Sequence, residues 1–146
     1  MHKLFKNVTE VLDLVEGFRN KTVAKSDWTH EAHLAVGVWF LSNFDRFEAT
    51  CLLKSGIVEL NYSMGGENTP REGYHETITL LWIWLIDKYL KANEGKELLE
   101  LVNGFLQNEY SERNVLLKFY SKEVLFSTKA RAIWVDPDRR LLTSPF

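Results

Sequence analysis

The chain has 146 residues, 45% of them apolar and 26% charged, enough for one real core and too apolar for a disordered tail. A net charge of −2 supplies no basic field for nucleic acid, and the longest apolar run, residues 80–86, is far too short to cross a bilayer. The lone cysteine, Cys51, has no partner for an internal disulfide, and residues 1–7 lack the apolar centre of a secretion signal, so a cytoplasmic protein is expected.

Asn7 and Glu10 read as a capping box that opens a helix over 8–19, with Val8, Val11, Leu12, Val15 and Phe18 at helical spacing. Ser26 or Asp27 caps a second helix that continues to about residue 43 and carries His30 and His33 near its head. Gly37, one turn later, costs helix stability and implies a close approach by a neighbour. A third helix is expected over 45–62, with Phe47, Cys51, Leu52, Ile57 and Leu60 buried. Residues 64–73 form the clearest loop, rich in Gly and polar side chains, and deliver His75 to a fourth helix over 74–92. That helix is apolar almost all round and belongs in the middle of a bundle. A fifth helix spans 96–107, and short helical pieces follow from Ser111 to Trp134. No stretch has hairpin chemistry. The expectation is one all-α domain over 1–146, a helical bundle with four main helices and short C-terminal helices.

Three of the four histidines lie in two similar stretches, Trp28-Thr29-His30-Glu31-Ala32-His33-Leu34 and Gly73-Tyr74-His75-Glu76-Thr77-Ile78-Thr79. Residues three apart share a helix face, so His30 and His33 can point into one space. In an up-down-up-down bundle the second and fourth helices run parallel, which puts His75 at the same end. The first reading is therefore a divalent metal (Zn, Fe, Ni or Mn) on His30, His33 and His75, with an open position for hydrolase or transferase chemistry. Glu31 and Glu76 are the candidate bases and Tyr74 the candidate proton donor. Trp28, Thr79 and Trp82 are the candidate cofactor- or ligand-binding residues. His2, at the chain terminus, is expected to be solvated.

Two other readings stand beside this one. A non-enzymatic module would hold a small organic molecule in the same His/Trp/Tyr pocket through neutral imidazoles. A protein-interaction domain would instead use Phe119, Tyr120 and Phe126. A small-molecule ligand or substrate is the expected partner, with neither nucleic acid nor membrane, and a homodimer is left open. Arg131, Arg139 and Arg140 read as a salt-bridged surface and, second to that, as a clamp for an anion.

At these stretches the chain resembles a bacterial family of small helical proteins without an assigned activity. The shared motifs are W-T-H-x-A-H-L, here Trp28 to Leu34, and G-Y-H-E-T-x-T, here Gly73 to Thr79, with a similar ending from Trp134 to Arg140. The architecture is also similar to DinB-type metal-binding bundles, in which three histidines from two helices hold a divalent ion. Here the close pair comes first and is spaced by three, whereas in that family a pair spaced by four comes later. The looser likeness implies a bundle and a three-histidine metal site.

Overall fold

The computed structural model describes residues 1–146 and is all helical, without strands. Helix α1 spans Val8–Asn20, α2 His30–Asn43, α3 Arg46–Ser63, α4 Glu76–Lys91 and α5 Leu98–Leu106. Three single-turn helices follow: α6 Leu116–Phe119, α7 Lys122–Leu125 and α8 Thr128–Ala132. No helix is long and apolar enough to cross a membrane.

Each main helix starts where a side chain satisfies the free backbone N–H groups of its first turn. Asn7 Oδ1 accepts from Glu10 N at 3.0 Å, and Asp45 Oδ1 accepts from Glu48 N at 2.9 Å. Thr29, and not Ser26 or Asp27, caps α2, because residues Lys25–Asp27 are wound into a separate 3-10 turn. His30 is consequently the first residue of α2. The cap of α4 is His75 itself, whose Nδ1 accepts from Ile78 N at 3.1 Å. An imidazole thus occupies the place usually held by Ser, Thr, Asp or Asn.

Two apolar clusters build the interior. One joins α2 and α4 to α5 and the C-terminal helices, with Leu81, Leu85, Phe105, Phe119 and Tyr120 fully enclosed. The other lies among α1, α2 and α3, around Phe18, Phe40, Leu53 and Leu60. Helices α2 and α4 belong to both, as expected of segments that are apolar nearly all round. They run parallel: His30 meets Trp82 with ring centroids 5.2 Å apart, and Gly37 meets Ile86 further along both chains. A Cβ on Gly37 would sit 2.9 Å from Ile86 Cδ1, so the missing side chain is what lets the two helices close.

Several expected burials differ. In α3 the inward face is Ala49, Leu53, Gly56 and Leu60, while Phe47 is 80% exposed and Cys51 and Leu52 also face out. The sequence stripe through 47 and 51 lies on the opposite side of the helix from the one that packs. Phe119 and Tyr120 are fully buried, which removes them as an interaction surface; only Phe126 of that trio is exposed. His2 is not solvated. Its side chain is 7% exposed and its Nδ1–H donates to Glu31 Oε1 at 2.9 Å.

Candidate functional site

The heads of α2 and α4 open onto one cavity of about 520 Å³, placed where the two apolar clusters meet. All three motif histidines line it, together with Trp28, Tyr74, Thr79 and Trp82. The rest of the wall is mostly aliphatic and aromatic, with Phe126 from the chain's C-terminal part also at the surface. A broader depression of about 890 Å³ lies elsewhere, lined by Lys3, Glu10, Asp13, Asp27 and Glu31 among others. Its many charged groups of both signs suit a solvated surface fold. Aromatic walls with a few convergent polar atoms make the smaller cavity the better site.

The three imidazoles differ in what they hold. His30 donates its Nε2–H to Ser111 O at 2.7 Å, tying the head of α2 to the 3-10 turn Glu109–Ser111. His33 donates its Nδ1–H to Thr29 O at 2.6 Å and stacks on Trp28, ring centroids 3.9 Å apart. His75 is engaged at both nitrogens: Nδ1 caps α4, and Nε2–H donates to Leu125 O at 2.8 Å, tying α4 to α7. A neutral imidazole has one N–H and one lone pair. His30 Nδ1 and His33 Nε2 therefore keep free lone pairs, whereas His75 keeps none.

This geometry bears on the expected metal site. No group of three His, Cys, Asp or Glu side chains is placed to hold a metal ion. The register of the parallel helices supplies the reason. His30 packs level with Trp82, and His75 precedes Trp82 by seven residues, about 10 Å of helical rise. His75 would also have to surrender a helix cap or the bond to Leu125 in order to coordinate. The donor set does not fit a three-histidine cation.

The expected bases are likewise committed elsewhere. Glu31 lines the broader depression and accepts from His2. Burial is the largest single influence and opposes its ionisation, but the hydrogen bonds from His2, from its own backbone N–H and from Thr29 together outweigh it and hold the carboxyl below its usual range. Glu76 is absent from the cavity wall. It accepts from Lys54 Nζ at 2.8 Å and from the Tyr74 hydroxyl at 2.7 Å. Burial, and then this bond to Glu76, push the Tyr74 phenol well above its ordinary pKa. Tyr74 thus presents a neutral oxygen whose proton is already given to Glu76. Trp28, Thr79 and Trp82 line the cavity.

All three cavity histidines are held neutral. Burial is the main cause of the lowered pKa at each, opposed by the hydrogen bonds to Ser111, Thr29 and Leu125. Arg113 lowers His30 and His33 further, and Arg131 does the same for His75. His33 falls furthest, to about 4. Its ring reaches solvent through the cavity while packed protein around it disfavours the imidazolium. Because the unfolded chain takes up these protons near pH 6.5, stability is fully present above that pH. It is lost progressively as pH falls towards about 4. The urea midpoint should drop between pH 7 and pH 5, where most carboxylates are still ionised. An unchanged midpoint across that window would contradict the neutral histidines.

Arg113 is the lining residue that the sequence did not mark. The arginines singled out there have structural roles: Arg131 donates to Gly73 O at 2.7 Å, and Arg139 Nη1 donates to Leu117 O at 3.0 Å. Arg140 lies over the Phe119 ring. Arg113 arrives from 80 residues beyond His33, through the segment that His30 anchors at Ser111, and no local pattern announces it.

No protein-family model, curated protein or solved structure matches the chain.

Proposed function

We propose that this protein binds a small, flat organic molecule in the three-histidine cavity without a metal and without turning it over. One observation carries the reading. A cavity of ligand size is walled by Trp28 and Trp82 and offers two uncommitted imidazole lone pairs, at His30 and His33. Cavities of about 300–1,000 Å³ with aromatic walls and a few oriented polar groups are the usual form of small-molecule sites. Neutral imidazoles would accept hydrogen bonds from ligand N–H or O–H groups, and the aromatic and aliphatic wall would supply most of the contact area. Catalysis is disfavoured because Glu31 and Glu76, the nearest carboxylates in sequence, are already paired with His2, Lys54 and Tyr74.

Isothermal titration with indole in the presence of EDTA tests this. Indole brings one N–H and a flat ring small enough for a cavity of about 520 Å³. One-to-one binding is expected, unaffected by EDTA. Thr79→Trp, which adds a further large ring to the cavity, should abolish it. His33→Ala should weaken it about fivefold, the value of one net hydrogen bond of about 1 kcal/mol. Binding that needs a metal, or that survives Thr79→Trp intact, would refute the proposal.

A further inference from the structure

We infer that the ligand of this cavity carries an anionic group, most simply a carboxylate, and that Arg113 receives it; this rests on the small-molecule reading above. The charge inventory of the wall is one-sided. Among the side chains that line the cavity there is one arginine and no aspartate or glutamate. The Arg113 side chain is exposed, and no carboxylate forms an ion pair with it. Nor does it donate a hydrogen bond to any protein group, although Arg131, Arg139 and Lys54 all do. A guanidinium presents a planar fork of donors suited to a carboxylate, and here that fork is free at the edge of an apolar cavity.

The remaining polar atoms complete the match. His30 Nδ1 and His33 Nε2 are acceptors, so they favour ligand N–H or O–H groups and offer an anion nothing while neutral. The positive charge of Arg113 acts on both rings, which places it on their side of the cavity. The ligand class that satisfies all of this is a flat aromatic acid with an additional hydrogen-bond donor. Its ring lies against Trp28 and Trp82, its donor on an imidazole and its carboxylate on Arg113.

Indole-3-acetate and indole-3-acetamide have the same shape and the same ring N–H and differ in charge. Titration of each into the wild-type protein and into Arg113→Gln and Arg113→Lys separates the two levels of the claim. The acid should bind at least tenfold more tightly than the amide. Arg113→Gln should erase that preference by weakening the acid, and Arg113→Lys should retain part of it. Because Arg113 is exposed in a 3-10 turn, both variants should fold, which an unchanged thermal unfolding midpoint checks. Equal binding of acid and amide overturns the inference and leaves the pocket reading standing. An acid preference that persists in Arg113→Gln also overturns it. Failure of both compounds to bind at millimolar concentration overturns both.

Discussion

His75→Ala should cost about 2–4 kcal/mol of unfolding free energy, the largest loss expected from any single histidine. Two separate contacts vanish. The first turn of α4 loses its cap at Ile78 N, and the buried Leu125 carbonyl loses its only side-chain donor. The ring is 7% exposed, so little water is at hand to replace either bond. For a chain of this size the melting temperature should fall by about 6–12 °C. His75→Asn keeps a cap acceptor but cannot reach Leu125, and should recover about 1 kcal/mol. His30→Ala and His33→Ala, each with one backbone bond to lose, should cost less. A stability change under about 0.5 kcal/mol for His75→Ala would mean that the head of α4 is held by something else.

Gly56→Val is the second large effect, and it links the core to the cavity. A Cβ at Gly56 meets Phe18 Cζ and lies 2.6 Å from Cε1. Phe18 is 1% exposed, edge-on to Phe40 and stacked on Trp28 at 5.5 Å, and the open space beside it is the cavity it helps to line, so it can yield only by disturbing these rings or entering the cavity. Overpacking of this kind costs about 2–3 kcal/mol. Trp28 stacks in turn on His33, so a shifted Phe18 moves one wall of the cavity. Indole affinity should therefore fall in Gly56→Val although residue 56 does not line the site. Urea denaturation and calorimetry on one sample measure both. Loss of stability with unchanged indole affinity would show that Trp28 is positioned independently of Phe18.

The helices were legible where local chemistry decides them. The caps at Asn7 and Asp45 and the all-round apolar character of α4 depend on neighbours a few residues away. The shared cavity was legible too, because parallel α2 and α4 follow from their order in the bundle. Whether the three rings meet at one point was not. It depends on the axial register of two helices, which Gly37 and Ile86 set through a contact between distant segments. The roles of the imidazoles were hidden for the same reason. Ser111 O and Leu125 O, the acceptors that fix His30 and His75, lie 81 and 50 residues away. Exposure along α3 failed differently: large side chains at 47 and 52 suggested an inward face, while the packed face is built on Ala49 and Gly56. Small residues there admit Phe18 from α1.

The motif pair Trp-Thr-His and Tyr-His-Glu thus reads as two helix heads, each pinned by an imidazole to the C-terminal half of the chain. Thr77 strengthens the second pin: its hydroxyl donates to Ile133 O at 2.8 Å and accepts from Val135 N at 3.1 Å. His30 and His75 tie the helix heads to Ser111 and Leu125, and two imidazole lone pairs stay without a protein partner.

The five tryptophans provide the most direct test of where a ligand goes. Each indole N–H gives its own signal in a nitrogen–proton correlation spectrum, and only Trp28 and Trp82 line the cavity. On titration with indole-3-acetate in EDTA, the Trp28 and Trp82 signals should move in a saturable, one-to-one manner while Trp39, Trp84 and Trp134 stay in place. Saturable shifts confined to Trp39 or Trp134, or no shift at Trp28 and Trp82 when calorimetry reports binding, would place the ligand elsewhere and end the case for this cavity.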